Sequence, residues 1–455
     1  MPQTRRSFLQ KSATIAASTL YAPSILTAES LKCDKIRVAI IGIGGRGREH
    51  VKCLRNEQLV AFCDVDYQRS AKTINAHPNI PRFDDFRVMF DQMGSRIDAV
   101  SIATPDHMHY PIALWAIANG KHILVEKPLV RTFAEAMHLK QVAKKAGVIT
   151  QMGNQGHASE GLRRLKEWIM AGLIGEVDRV VHWTNRPTWP QGMTAFPSDA
   201  AVPHGLNWNL WQGVAPPRPY APNIAPFKWR GYRDYGCGAI GDIACHTMDA
   251  SYTGLDLKFP HSLKAQSSGM TEIAFPKEST IEMKFMPRTG GREITVRWLD
   301  GGRMPSKIPF VPEHYYRGRE ATPSKQAKQP LDNGTFIVGT KGTISVDMYS
   351  QNPRIFPTDY HKQLIAEDAL PPATLPRVNG DHFNEWAEGI RNSVQPGANI
   401  VDYAADFTAT ALLGAVSLTS TEALEFDSST QRFLGNDSMN HMLKSEYEYR
   451  QEFLP

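Results

Sequence analysis

The chain has 455 residues, more than one ordinary core needs, and its size favours two domains with additional terminal segments. With 42% hydrophobic and 21% charged residues it has the composition of a globular protein, and no apolar run reaches the ~18 residues that a membrane-spanning helix requires. Three of the positive charges behind the formal net charge of +5 are Arg5, Arg6 and Lys11; the remainder is nearly neutral and lacks the basic runs of a nucleic-acid binder.

Residues 1–28 carry Thr4-Arg5-Arg6-Ser7-Phe8-Leu9, a modestly apolar stretch from Ser12 to Leu20, and Leu26-Thr27-Ala28 before a polar Glu29. This resembles a twin-arginine export signal and predicts a periplasmic protein, carried across folded with any tightly held cofactor in place. The cysteines Cys33, Cys53, Cys63, Cys237 and Cys245 are few and odd in number. They argue against a disulfide framework, and no metal site is read.

From Lys35 short apolar runs alternate with helical patterns. The strands expected are Ile36 to Ile41, Leu59 to Cys63, Ala99 to Ala103 and His122 to Val125; the helices are Arg46 to Asn56, Pro111 to Asn119 and Thr132 to Ala146. Continuous apolar strands between amphipathic helices predict a doubly wound parallel sheet of Rossmann type over 35–155. A helix from Gly161 to Ala171 then leads to stretches that alternate apolar and polar residues (Val177 to Thr184, Ser279 to Phe285, Glu293 to Trp298, Thr335 to Val346). They predict an α+β domain with a largely antiparallel open sheet over 156–420, closed by helices from Gly380 to Ser393 and Ala404 to Thr419. Residues 421–455 are set apart as a C-terminal extension. The Trp- and Pro-rich stretch from Arg186 to Tyr235 fits no regular element, and long irregular loops in compact domains are commonly functional.

The chemistry begins at Gly42-Ile43-Gly44-Gly45-Arg46-Gly47, between a strand and a helix. Gly42 permits a tight turn, Gly44 and Gly45 let backbone approach a pyrophosphate, and Gly47 allows close helix packing. Asp64, about twenty residues on, stands where a carboxylate binds the ribose hydroxyls and repels a 2′-phosphate. The expected cofactor is therefore NAD; Arg46, able to touch a 2′-phosphate, leaves NADP open. Thr104, Pro105 and His109 follow the strand that ends at Ala103, and Glu126-Lys127-Pro128 follows the next, so both segments should border a bound nicotinamide.

Thr104-Pro105 with His109, and Gly120-Lys121-His122-Ile123-Leu124-Val125-Glu126-Lys127-Pro128-Leu129, resemble the Gfo/Idh/MocA family of oxidoreductases. The resemblance places a catalytic lysine between cofactor and substrate at Lys127, where an ammonium would stabilise charge developing on the reacting oxygen. It extends to Gly238-Ala239-Ile240-Gly241-Asp242-Ile243-Ala244-Cys245-His246. Asp242 and His246, four apart, share one face of a helix; the family pattern makes His246 the general base and has Asp242 orient the sugar or tune the histidine. Asp249 is a weaker candidate for holding His246 or its helix in place.

The sequence departs from the commoner family pattern at Gln151-Met152-Gly153-Asn154-Gln155-Gly156-His157, where Asn154 and His157 are candidate substrate contacts. It departs again in the 186–235 stretch, where Trp189 and Trp229 are candidate platforms for a sugar ring. The function expected is an NAD-dependent oxidoreductase acting on a hydroxyl carbon of a sugar, glycoside or polyol. The alternatives are a glycosidase that uses tightly bound NAD in a transient oxidation and elimination, and a non-catalytic cofactor- and sugar-binding protein. Family analogy also implies a homo-oligomer, formed through the open face of the second sheet.

Overall fold

A computed structural model describes residues 35–287, 290–318, 326 and 328–455; the predicted export signal and Cys33 lie outside them. Six parallel strands form the first sheet: β1 (Arg37–Ile41), β2 (Gln58–Cys63), β3 (Arg82–Phe83), β4 (Ala99–Ile102), β5 (His122–Val125) and β6 (Thr150–Met152), in the order β3-β2-β1-β4-β5-β6. The chain leaves β1 toward β2 on one side and returns to β4 on the other. A crevice therefore opens at the carboxyl ends of β1 and β4, where such sheets bind ligands.

Local signals set the helices between the strands. Phe133–Ala146 starts with a reciprocal capping box between Thr132 and Glu135 and stops at Gly147, whose φ of 66° suits glycine. The helix expected from Pro111 instead begins at Asp106, after Pro105 with φ −61°. Pro105 and Pro111 both read as helix starts because a fixed φ suits the first turn. The earlier one governs, so Asp106 to His109 are helical rather than loop.

The second sheet has nine strands: β7 (Val177–Thr184), β8 (Ser262–Ser268), β9 (Glu278–Phe285), β10 (Ile294–Leu299), β11 (Asn333–Gly339), β12 (Thr343–Val346), β13 (Arg354–Phe356), β14 (Leu424–Asp427) and β15 (Arg432–Phe433). Their order is β13-β12-β11-β7-β10-β9-β8-β14-β15. Apart from the parallel β7–β10 pair, the described pairs of this sheet are antiparallel. Among the described residues no helix is long and apolar enough to cross a membrane.

One expectation about this sheet needs correcting. Its outer face is not open around β7 and β11, because Ile308, Val311 and Tyr316 cover Val181, Trp183, Phe336 and Val338. Toward β8 to β10 the face carries ion pairs, Arg297 with Glu282 at 2.8 Å and Lys284 with Glu293 at 3.2 Å.

Sequence ranges and packing partners also differ. His382–Asn392 lies in the range given to the second domain, yet its Phe383, Trp386 and Ile390 pack on Ile36, Val38 and Ile40 of the first sheet. Ala405–Ser417 is buried along almost its whole length and is tied to Phe133–Ala146 by Lys140 and Asp406 at 2.6 Å. Residues 421–455 are no appendage: β14 pairs with β8, and Phe453 is buried in the main core.

Burial pushes seven of the described histidines below an ordinary 6.5: His107, His182 and His246 to about 3, His122 and His382 to about 4, and His109 and His361 also downward. The unfolded chain then binds protons that the folded chain refuses, so stability falls as pH drops below 6.5 toward these depressed values. Urea titrations between about pH 7 and pH 4.5 are expected to give a steadily falling midpoint; a midpoint flat over that range would contradict the burial of these rings.

Candidate active site

The crevice is a cavity of about 450 Å³ that runs from the ends of β2 and β3 to the ends of β4 and β5. Its floor is the glycine loop. Gly42 has a φ of +84°, and a Cβ there would stand 2.6 Å from the Ala103 carbonyl oxygen; at Gly47 it would stand 1.7 Å from that of Gly42. Neither position admits a side chain without moving backbone.

Asp64 lines the cavity and holds the loop, its Oδ2 accepting from the backbone N–H of Ile43 and Gly44 at 2.8 and 2.9 Å and its Oδ1 from that of Asp66 at 2.9 Å. A carboxylate has about four lone-pair sites, so capacity for ribose hydroxyls remains. Burial raises this carboxyl to about 6. The Thr104 hydroxyl oxygen is buried without a hydrogen-bond partner beside the same cavity. An orphaned hydroxyl, a loop that excludes side chains and a carboxylate with spare acceptors fit a dinucleotide.

Arg46 turns away from the β2 end. Its Nε donates to Glu126 Oε1 at 2.8 Å, and His50 Nε2 lies 2.9 Å from the same oxygen. The guanidinium is thus committed toward β5 rather than toward a 2′-phosphate, and the reason for keeping NADP open falls away. Glu126, held well below the usual carboxylate range against burial by His50 and Arg46, is an anchor for Arg46 more than a cofactor contact. His109 borders the cavity, but Nδ1 lies 2.8 Å from the Pro128 carbonyl and Nε2 2.9 Å from that of Thr104. It braces the two segments that flank the nicotinamide end.

Lys127 Nζ donates to Asp242 Oδ1 at 2.6 Å and to the Asp242 carbonyl at 2.9 Å, and Arg230 Nε donates to the same Oδ1 at 3.2 Å. Burial opposes charge on Lys127, but the Asp242 carboxylate outweighs it and holds the ammonium above its ordinary value. Burial likewise opposes charge on Asp242; Lys127 and Arg230 prevail and hold that carboxyl far below the usual range. Asp242 is not among the residues that line the cavity; it stands against the two cations and positions Lys127.

His246 lines the cavity on the same helix, Gly238–Thr247, with the Tyr349 ring edge-on at 5.0 Å. Asn154 Nδ2 donates to Asp249 Oδ2 at 3.2 Å, so Asn154 Oδ1 faces His246 Nδ1, 3.3 Å away, as an acceptor. The proton therefore sits on Nδ1, leaving Nε2 as the lone-pair nitrogen of a ring that borders the cavity. Asp249 in turn accepts from Tyr403 and Thr253, both at 2.7 Å, and lies 3.0 Å from His157 Nδ1.

Asn154 and His157 do not line the cavity; both are buried against Asp249 behind His246. Trp189 is buried outside the cavity wall, with its Nε1 donating to Gln191 at 3.0 Å, whereas Trp229 lines the cavity as expected. Two cavity cations escaped the motif search. Arg230 lies 4.3 Å above the Trp229 ring. Arg69 sits in the first turn of Tyr67–Ala76 against Gly44 and Gly45. A cation in a helix's first turn opposes the helix dipole, and that is the signal that could have found it. Asp106, raised by burial to about 7, is a further carboxyl beside Arg230, Asp242 and Lys127.

Residues 36–154 match the profile described as "Oxidoreductase family, NAD-binding Rossmann fold" of Gfo/Idh/MocA, and residues 162–306 match its "C-terminal alpha/beta domain". The chain belongs to this family. It is 29% identical over 165 residues to a levoglucosan dehydrogenase of Pseudarthrobacter phenanthrenivorans, covering 36% of this chain and 34% of that protein. It is 30% identical over 152 residues to D-glucoside 3-dehydrogenase of Escherichia coli, covering 32% and 43%. The matches thus span between a third and a half of these relatives. The WlbA dehydrogenase of Bordetella pertussis, solved with NADH and UDP-GlcNAcA, shares the fold with a TM-score of 0.57 and 17% identity, over 86% of this chain and 99% of that one.

The glycine loop makes a sharp prediction. Gly47→Ala drives a methyl group into backbone and is expected to abolish NADH binding, whereas Gly45→Ala meets only the movable end of Arg69 at 3.0 Å and should retain it. Fluorescence titration with NADH checks both variants.

Proposed function

We propose that the protein is an NAD-dependent dehydrogenase that oxidises or reduces a hydroxyl-bearing carbon of a sugar, glycoside or polyol. The observation that carries this reading is that Lys127, fixed as an ammonium, and His246, fixed as a neutral ring with Nε2 unprotonated, border one cavity beside the dinucleotide loop. The dehydrogenase names of the family relatives support net oxidation or reduction over transient oxidation with elimination.

NAD bound there supplies the hydride acceptor or donor. Asp64 and the glycine loop would hold the dinucleotide, Thr104 would offer it a hydroxyl, and Lys127 would border its nicotinamide end. Lys127 donates to the reacting oxygen and stabilises negative charge on it. His246 Nε2 takes the hydroxyl proton in the oxidation direction. Burial holds the ring well below its ordinary value, so it is unprotonated at physiological pH and has a lone pair to offer the hydroxyl proton. Trp229 and Arg230 line the cavity, the guanidinium stacked over the indole, so that Arg230 offers donors suited to sugar hydroxyls.

A panel of sugars, glycosides and polyols followed at the NADH absorbance band tests the reading. With a genuine substrate, Lys127→Met and His246→Ala are each expected to lower kcat by about 10²- to 10⁴-fold while NADH still binds; unchanged kcat in both variants would refute these roles. Aglycone release without lasting NADH would point to the glycosidase chemistry instead.

Export by the twin-arginine route to the periplasm is part of the same proposal, supported by Arg5-Arg6-Ser7-Phe8-Leu9. Replacing Arg5 and Arg6 together by Lys should leave the protein in the cytoplasmic fraction. Unaltered periplasmic recovery would remove the export reading.

A further inference from the structure

Residues 447–455 lie outside both spans matched to the family, 36–154 and 162–306, yet one of them, Phe453, lines the cavity. Phe453 is 1% exposed and lines the cavity together with Asp84, Phe86, Ile112 and Leu210. Asp84 and Phe86 follow β3, on the far side of Asp64 from Lys127. That end of the cavity receives the adenine of a dinucleotide whose ribose meets Asp64 and whose nicotinamide meets Lys127.

The segment is tied down on both sides of the crevice. On the Rossmann side Trp115 Nε1 donates to the Phe453 carbonyl at 3.0 Å, and Arg87 Nη1 donates to that of Glu452 at 2.8 Å. On the side of the irregular 186–235 stretch, Arg450 Nη2 donates to Asn209 Oδ1 at 2.9 Å and its backbone N–H reaches the Val214 carbonyl at 3.4 Å. The Arg87 and Arg450 guanidinium groups lie 4.5 and 4.9 Å from the Phe453 ring centre and help to fix the ring.

We propose that residues 450–454 form a strap across the adenine end of the cavity, with Phe453 as an apolar wall for the purine ring. The strap joins the Asn209 loop to the Rossmann helices, and the dinucleotide leaves only when it lifts. The proposal rests on the dinucleotide reading of the cavity and adds to it a subsite built from the end of the chain. It also gives a physical route to cofactor retention, because release then requires breaking the Arg450, Arg87 and Trp115 ties together.

The test uses the full-length protein and two probes, NADH and reduced nicotinamide mononucleotide, which lacks the adenosine half. Dissociation is followed by fluorescence. Phe453→Ala is expected to release NADH about tenfold faster and to bind the mononucleotide as the wild type does; Phe453→Tyr should restore slow release. Arg450→Ala, which frees the strap from Asn209 and leaves the wall in place, should also speed NADH release. NADH release unchanged in both alanine variants would overturn the strap. Equal weakening of both probes would also overturn it, since that reports a general loss of structure. A wild type that binds neither probe would overturn the dinucleotide reading itself.

Discussion

One buried carboxylate organises the active site. Asp242 lies in the second domain and takes hydrogen bonds from Lys127, at the end of a Rossmann strand, and from Arg230, in the irregular stretch between. An ion pair in low dielectric has a large desolvation cost, and removing one partner of such a pair typically costs about 3–5 kcal/mol because a charge is left buried and alone. The domains are thereby locked in the relative position in which Lys127, His246 and the dinucleotide loop share a cavity. The same carboxylate holds Lys127 as an ammonium against its burial.

A second, quieter network does for His246 what Asp242 does for Lys127. Asp249 gathers Tyr403, Thr253, His157 and Asn154, and the direction of the Asn154 amide then dictates which His246 nitrogen carries the proton. Asp242 and Asp249 lie on successive short helices of one segment, yet the first faces cations and the second faces hydroxyl, amide and imidazole groups. The orientation and protonation of Lys127 and His246 are thus set by groups packed behind them.

The cavity is assembled from distant parts of the chain. The glycine loop and Asp64 come from its first quarter, Trp229 and Arg230 from the irregular stretch, Tyr349 from the turn after β12, and Phe453 from residues far beyond the matched family domains. The Rossmann sheet supplies a floor and an anion-binding end, while the remainder of the chain supplies walls. This division explains how one cofactor platform serves relatives with different substrates: walls change while the floor persists.

The sequence alone determined the features that depend on local backbone. The strand, glycine loop and helix were legible because Gly42 and Gly47 stand where any side chain would strike backbone. Asp64 was legible from its spacing, and Asp242 and His246 from their resemblance to the family pattern. The motif Glu126-Lys127-Pro128 placed Lys127 correctly at the end of β5. What each side chain touches was settled only by tertiary structure, because its partners are remote: Lys127 and Asp242 are 115 residues apart, and Arg87 and Glu452 are 365 apart. Asn154, His157 and Trp189 have the chemistry of sugar contacts and lie beside the right motifs, but burial turned them inward. Arg230 and Phe453 lie where no periodic pattern flags them. A motif specifies the conformation of its own few residues; whether a polar group ends in a cavity wall or in a buried network is decided by what the rest of the chain packs against it.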